Sequence, residues 1–298
     1  DEPLARYTAA RIGGPAELLY VAEDTPTLID VVQTAWDLKI PVRLLGGGAN
    51  VLVSDGGVCG LVIVNRVKSV VFIHEVDSDY QQLDKLSGDV NVSAGMSLTR
   101  LANECASKGL TGFEWAVSVP GTVGGAVVNN AGAHGADMSD AVRNVSVLDR
   151  VAQEMILMSA NKMKFAYRST LLKGIAAERY VVLGASLHFK HDDPTAIRAR
   201  MDEYRAHRKR TQPPGASLGS IFKNPDGDYA GRLVEAAGLK GQTIGGAAVS
   251  EKHANFFINT GGATATDYAA LVRHVQREVE ARFGVRLETE IEMIGEGF

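Results

Sequence analysis

Glycine comes in runs in this sequence, and the first long run stands where a strand ends. There are 32 glycines among 298 residues, roughly 11% against a usual ~7%. They cluster at Gly46-Gly47-Gly48, Gly56-Gly57, Gly124-Gly125, Gly245-Gly246 and Gly261-Gly262. Such runs belong at left-handed turns or where backbone must approach a ligand closely. Ahead of the triplet, residues 17–22 (ELLYVA) read as a strand. Thr25-Pro26 then reads as cap and first helical position, before a helix with Leu28, Val31, Val32, Ala35 and Leu38 on its apolar side. PVRLL follows as a short buried strand and runs straight into GGGAN. A Rossmann-type dinucleotide fold places G-x-G-x-x-G between the first strand and first helix. Here the glycines follow the second strand, and neither that motif nor a Walker lysine loop occurs.

A second α/β region begins near Val70. VVFIHEV and DVNVSAG read as strands, followed by a helix from Leu98 to Lys108 with Ser97 as its cap and Gly109 as its stop. The stretch FEWAVSVPGTVGGAVVNNAGAHGADM is poor in charge and rich in Gly, Ala, Val and Asn. It suits backbone wrapped round a ligand and equally suits a tightly packed loop. VRNVSVLD and QEMILM read as a hairpin. YVVLGASLHFK alternates, with Val181, Leu183, Ala185, Leu187 and Phe189 on one face.

Asp193-Pro194 opens a helix bearing Ile197, Met201 and Tyr204 on one side and Arg198, Arg205, Arg208, Lys209 and Arg210 around the rest; Pro213-Pro214 closes it. Charge and punctuation together mark a boundary there. Beyond it, YAGRLVEAAGL and DYAALVRHVQREVEARFG read as helices, the second burying Leu271, Val272, Val275, Val279 and Phe283 and stopping at Gly284. VRLETEIEM reads as a last strand with Val285, Leu287, Thr289, Ile291 and Met293 on one face and Glu288, Glu290 and Glu292 on the other. Stacked carboxylates usually face solvent; they carry chemistry only where that face lines a cleft.

Composition removes several function classes. The hydrophobic share of 45%, charged share of 22%, net charge of -4 and pI near 6.0 describe an ordinary globular chain with no global pull toward nucleic acid. No segment has the apolar length of a membrane span. Cys59 and Cys105 are the only cysteines and form no C-x-x-C, and the start DEPLARYTAARIGG has no apolar signal core. Both point to a cytoplasmic protein with packed, reduced thiols. Position 1 is Asp rather than Met, which leaves room for an upstream segment.

GASLGSIFKNP contains G-x-S-x-G centred on Ser217. A nucleophile elbow needs a buried strand leading in and a helix leading out, because the strained turn is what exposes the hydroxyl. The upstream RAHRKRTQPP is charged and ends in prolines, so it cannot be that strand. A triad assembled from Asp226 and His253 would be coincidence.

Several segments then meet in one resemblance. RLLGGGANVLVSDGG, GFEWAVSVPGTVGGAVVNNAGAHG, FAYRST, LGSIFKNP, GGAAVSEKHANFFIN and LETEIEMIG stand in the order and spacing of the UDP-N-acetylenolpyruvoylglucosamine reductases, flavoenzymes of peptidoglycan synthesis. The sequence resembles the shorter form of that family over nearly its whole length. GGGAN is shared with other FAD proteins of the same fold, whereas Tyr-Arg-x-Ser, Gly-Ser-x-Phe-Lys-Asn-Pro and the terminal glutamate are specific.

The resemblance implies an α/β or α+β protein whose two-part FAD-binding region is of the PCMH, vanillyl-alcohol-oxidase-like type, with a C-terminal α+β substrate-binding domain. The expected parts are 1–67 and 68–192 for FAD and 193–298 for substrate, with 285–298 returning toward the FAD region. FAD is expected to be held non-covalently by Gly46, Gly47, Gly48, Ala49, Asn50, Val119, Pro120, Gly121, Gly124, Gly125, Asn129, Ala131 and Gly132. Ala49-Asn50 stand where some relatives carry a tethering histidine. NADPH is the implied co-substrate, with hydride passing from flavin N5 to C3 of an enolpyruvyl ether.

That chemistry needs a cationic or hydrogen-bonding group for charge building at C2, and a proton donor for C2. Arg168 in FAYRST matches the first need, since a guanidinium is permanently charged and binds a carboxylate with two bonds. Glu290 matches a second electrostatic or acid residue, although Thr289 stands where many relatives have proline. Ser220 matches the proton donor. Arg210, Lys223, Asn224 and His253 are the expected UDP-sugar contacts. No metal, nucleic acid or membrane partner is expected, and the protein is expected to be a monomer. Another FAD oxidoreductase of the same fold and a catalytically silent flavin or nucleotide-binding regulator are the competing readings.

Overall fold

The computed structural model describes residues 2–74, 86–174 and 178–298. Glu75 and Val76, the end of the expected strand VVFIHEV, lie outside the described residues. The chain divides into two compact units, one of Asp1–Tyr20, Gly48–Val62 and Arg208–Phe298, the other of Val21–Gly47 and Ile63–His207.

The second of these units is built on a five-stranded antiparallel sheet. Its order is Glu154–Ser159, Val142–Asp149, Tyr180–His188, Leu86–Ser93, Val70–His74. The hairpin expected from VRNVSVLD and QEMILM is present, with Val147 opposite Ile156. Tyr180–His188 takes the central place, so Val181, Val182, Leu183 and Ala185 are all buried. The one-sided pattern expected for it gives way because a central strand is covered on both faces. The helix Leu98–Ser107 starts where Ser97 accepts the Arg100 N–H at 3.4 Å and packs Leu98, Leu101, Ala102 and Cys105 inward. The helix Thr25–Asp37 is capped by Asp24, one residue before the expected Thr25, through the Thr27 N–H at 2.8 Å. Trp36 rather than Leu38 completes its buried stripe.

Pro194–Thr211 is a helix of 18 residues. Ile197 and Met201 enter the core with Phe113, Trp115 and Val127. Arg200 clasps it to the preceding segments through Glu114 at 2.9 Å, Asp192 at 2.7 Å and Thr111 at 3.0 Å. Burial works to raise the Glu114 carboxyl, but bonds from Thr111, Arg200 and Gly112 outweigh it and leave the group below its ordinary range.

The other unit carries a four-stranded antiparallel sheet in the order Ala216–Ser220, Phe256–Asn259, Ala247–Val249, Thr243–Ile244. The helices Ala230–Ala236 and Ala265–Phe283 share a core with it. Tyr268, Leu271, Val272, Val275 and Val279 form the buried stripe of the longer helix, which begins at a Thr264/Asp267 capping box and stops at Gly284 with φ 68°. Phe283 lies outside that stripe, at 39% exposure. Asp55 reaches the same helix start, accepting the N–H groups of Ala265 at 2.7 Å and Thr266 at 2.8 Å. Ala10, Ile12 and Leu52 complete this core.

The expected last strand is mostly irregular. Only Glu292–Ile294 is strand, and it pairs in parallel with Val51–Val53. The regular alternation of 285–293 reflects a segment that buries Leu287 and Ile291 and bonds to two different neighbours in turn.

Candidate functional site

Ser217 and Ser220 sit on one strand, and a bulge separates them. Ser217 pairs with Ile258 and Ser220 with Phe256, so three steps along one strand face two along the other. Gly219, at φ 76°, absorbs the extra residue. Ser217 is therefore an ordinary residue of an antiparallel strand, with no strand-to-helix turn around it. The bulge breaks the alternation just before Ser220 and sets its direction independently of Ser217.

The three residues after Ser220 are then clamped between two flanking segments. On one side the Ile221 N–H donates to the Asn255 carbonyl at 2.9 Å. The Asn255 side chain takes the Phe222 N–H at 2.9 Å and gives its own Nδ2–H to the Phe222 carbonyl at 2.8 Å. On the other side the Glu290 N–H donates to the Ile221 carbonyl at 2.7 Å, and the Lys223 N–H to the Glu288 carbonyl at 2.9 Å. Phe222 and Thr289 thus form an isolated antiparallel bridge. Ile221 and Phe222 are buried at 0% and 1% exposure, so little slack remains. Glu290 is bonded to the residue next to Ser220, although the two are 70 positions apart in the chain.

Asn50 joins the same ladder. Its Nδ2 donates to the Glu290 carbonyl at 3.0 Å, and its own carbonyl accepts the Glu292 N–H at 2.9 Å. Of the three glutamates on the expected outward face, Glu288 and Glu292 are exposed and Glu290 is half-buried. Lys223 pairs with Glu288 at 3.2 Å on the surface, a contact of the kind worth roughly 0–1 kcal/mol and easily exchanged for a ligand anion.

Asn224 caps a helix from a distance, its Oδ1 accepting the Ala230 N–H at 3.1 Å. His253 is half-buried; its Nδ1 accepts the Asn255 N–H at 3.2 Å, which places any ring proton of the neutral form on Nε2. Burial pushes its pKa down. Arg210 is exposed at the end of its helix.

The glycine-rich segments of the other unit pack tightly against their neighbours. A Cβ on Gly46 would stand 2.1 Å from Thr122 Oγ1, and one on Gly47 3.0 Å from the Gly121 Cα. A Cβ on Gly124 would stand 2.8 Å from that of Ala94. Val123 and Gly124 spend their N–H groups on the Met96 and Ala94 carbonyls at 2.9 and 2.8 Å. These glycines answer to packing, and two of the amides that a ligand-wrapping loop was expected to offer are used internally.

Gly125 is different. It lies in the helix Val123–Asn129, is exposed, and a Cβ there would meet nothing closer than Thr122 Oγ1 at 3.8 Å. An alanine would fit and favour the helix by about 1 kcal/mol. The glycine leaves a cradle, and at the end of the same helix Asn129 holds its Oδ1 buried without a protein partner. Both features fit a bound cofactor.

Arg168 is tied to the loop that follows this helix. Its Nη2 donates to the Gly132 carbonyl at 2.9 Å, in a turn where Ala166 and Ser169 exchange both backbone bonds. Its φ of 52° is left-handed, a conformation that costs a non-glycine residue about 1 kcal/mol or more and recurs at functional sites. Asn130, buried and at φ 43°, braces the turn by donating to the Ala166 carbonyl at 3.0 Å and to Asp137 Oδ2 at 3.0 Å. Thr170 Oγ1 adds a bond to the Val128 carbonyl at 2.7 Å.

Ser220, Lys223, Asn224, His253, Arg210, Glu290 and Gly48 to Asn50 thus fall in one unit. Gly46, Gly47, Val119 to Gly132 and Arg168 fall in the other. Sequence reasoning missed Asn255, Asn130 and Thr122. All three lie inside the quoted motifs, yet Thr122 and Asn130 read as turn residues of a glycine-rich stretch, and nothing around Asn255 marks its distant partner. A cavity of about 500 Å³ lined by Glu23, Asp24, Pro26, Arg66 and Lys68, among others, includes none of the expected site residues.

The comparisons with known proteins follow the same division. The family model for the FAD binding domain matches residues 16–155, and that for the C-terminal domain of UDP-N-acetylenolpyruvoylglucosamine reductase matches 210–294. Arg168 falls between the two. The reductase 2 of Symbiobacterium thermophilum is 42% identical over 99% of this chain and 91% of its own length. That of Caldanaerobacter subterraneus is 40% identical over 99% and 93%. The crystal structure of the Thermus caldophilus reductase superposes with a TM-score of 0.79 at 35% identity, covering 98% of this chain and 97% of that one. With the mixed α/β fold and the glycine cradle, they show that the chain belongs to the UDP-N-acetylenolpyruvoylglucosamine reductase family, the FAD enzymes that reduce enolpyruvyl-UDP-N-acetylglucosamine in peptidoglycan synthesis.

Proposed function

We propose that Ser220 delivers the proton to C2 of the enolpyruvyl group while Arg168 and Glu290 manage the charge that builds there. The chemistry FAD supplies when bound is hydride transfer, accepted from NADPH and passed from N5 to C3. Adding hydride at C3 leaves an electron pair at C2, spread onto the carboxylate as an enol-like species; one proton at C2 completes the saturated lactyl ether. A serine hydroxyl is a weak acid, so its use requires exact placement and a cation or hydrogen-bond donor for the alkoxide. The two-sided clamp on 221–223 supports this reading most directly, because it fixes the residues that follow Ser220 against the Glu290 backbone.

Arg168 contributes a permanent charge on a turn held by Asn130, Thr170 and its own bond to Gly132. Glu290 is half-buried and serves as the acid or electrostatic partner. Lys223 is drawn from Glu288 to the substrate diphosphate or the serine alkoxide. Asn224, Arg210 and His253 complete the UDP-sugar contacts. FAD is held by Gly46 to Asn50 and by the segment from Val119 to Gly132, and the substrate by the part beyond residue 192. The protein works as a cytoplasmic monomer; among the described residues no helix is long and apolar enough to cross a membrane.

The test divides the reaction in two. Ser220→Ala should keep NADPH-dependent flavin bleaching and slow reoxidation by UDP-N-acetylglucosamine enolpyruvate by about 10²–10⁴-fold. Reoxidation at the wild-type rate would remove Ser220 from the chemistry.

A further inference from the structure

One cation stands apart on the arginine-rich helix. Arg200 bonds Glu114 and Asp192, and Arg205 bonds Asp202 at 2.6 Å. Arg208 is half-buried and, among the described residues, its guanidinium has no hydrogen-bond or ion-pair partner. Burial alone lowers its basicity. One turn on, the Gln212 N–H donates to the Arg208 carbonyl at 2.8 Å, closing the helix. The Gln212 side chain keeps its Oε1 buried with no partner. A half-buried guanidinium without a partner among the described residues thus stands one helical turn from a buried side-chain oxygen that has none either.

A buried amide oxygen without a partner costs free energy, and partial burial of a guanidinium without a counter-ion adds to that cost. A folded chain tolerates them where a ligand supplies the missing groups. The location suits that. Lys252 Nζ donates to the Lys209 carbonyl at 2.7 Å, holding the helix end to the turn that leads into Phe256. Phe256 is the strand partner of Ser220, and Pro213-Pro214 leads directly from this helix into the strand that carries Ser220.

We propose that Arg208, with Gln212 beside it, is the anion anchor of the nucleotide-sugar substrate. The guanidinium pairs with an oxyanion of that substrate, and Gln212 Oε1 accepts an N–H or O–H of the same molecule. The proposal rests on the substrate reading above and adds a residue to it. Arg208 joins Arg210 as a basic contact from this helix.

The experiment uses the FAD-loaded protein and Arg208→Met, which keeps length and loses charge, with Arg208→Lys as a second variant. Melting temperature is measured without ligand. UDP affinity is measured by calorimetry, and KM for the enolpyruvyl substrate by turnover. The expected result is a ligand-free melting temperature for Arg208→Met equal to the wild type or about 2–4 °C higher, with binding weakened about 10–100-fold. Arg208→Lys should fall between. Weakened UDP binding assigns the diphosphate as the partner; a raised KM with UDP binding unchanged assigns the enolpyruvyl carboxylate. Unchanged UDP affinity and KM would overturn the proposal, and so would a melting temperature lowered by several degrees, the mark of a structural arginine. If the wild-type protein itself neither binds UDP nor is reoxidised by the enolpyruvyl substrate, the underlying substrate reading fails instead.

Discussion

At the scale of single residues, the account turns on side chains that position backbone. Asn255 is 4% exposed and imitates a strand, giving and taking one bond each with Phe222. Asn255→Ala leaves a buried N–H and a buried carbonyl without partners, which should cost roughly 2–4 kcal/mol. Denaturant unfolding measures this directly, and a loss under about 1 kcal/mol would mean that water enters and takes the place of the amide. Ser220 and Glu290 were readable in the sequence only through the motifs around them; no property of a serine or a glutamate alone selects them. Asn255 was not readable, because its partner lies 33 positions earlier and nothing in HANFFIN reports that distance. Arg168 was readable as a charge, but its left-handed φ and its bond to Gly132 emerge only when the turn is folded.

At the scale of elements, two short segments carry opposite demands. The helix Val123–Asn129 contains an exposed Gly125 where alanine would fit. Gly125→Ala should raise the stability of the FAD-free protein by up to about 1 kcal/mol while weakening FAD binding, both followed by thermal melts at graded FAD concentrations. Equal stabilisation with and without FAD would show that the cradle holds nothing.

The start of the helix Ala265–Phe283 makes the other demand. Asp55 caps it across more than 200 positions of sequence. Burial works to raise the Asp55 carboxyl, and its bonds to Ala265 and Thr266 outweigh it, so the folded value lies below the ordinary one. A depressed value stabilises fully above the unfolded pKa, about 3.9, and the contribution fades as pH falls through the folded value. Asp55→Asn should therefore lower stability near neutral pH by about 0.5–2 kcal/mol and flatten the loss of stability below about pH 4. An unchanged acid profile would place the acid sensitivity elsewhere. The stripe from Leu271 to Val279 and the Gly284 stop of this helix were legible because periodicity is local, whereas Phe283 lies outside the stripe and the Thr264 cap, three residues ahead of the expected start at Asp267, was not legible. Nor was its second cap, since Asp55 sits beside a glycine pair that reads only as a turn.

At the scale of the whole molecule, the sequence carried the order of elements well and their partnerships poorly. Strands such as Val142–Asp149 and helices such as Leu98–Ser107 announce themselves by alternation or by a heptad-like stripe. The terminal segment misled, because alternation in 285–293 comes from two successive pairings rather than one strand: 288–290 with 221–223, then Glu292–Ile294 with Val51–Val53. The same segment is what brings Glu290 beside the residue that follows Ser220 and ties Glu290 to Asn50. The proposed chemistry accordingly separates into a flavin-reducing half that needs the glycine segments and a proton-delivering half that needs the clamped serine.

Anaerobic stopped-flow absorbance of the flavin tests that separation most directly. Wild-type and Ser220→Ala proteins are reduced with NADPH and then mixed with UDP-N-acetylglucosamine enolpyruvate. The account predicts equal reduction rates and a reoxidation slowed by about 10²–10⁴-fold in the variant alone. Reoxidation of both at one rate, or a variant that NADPH cannot reduce, would contradict it.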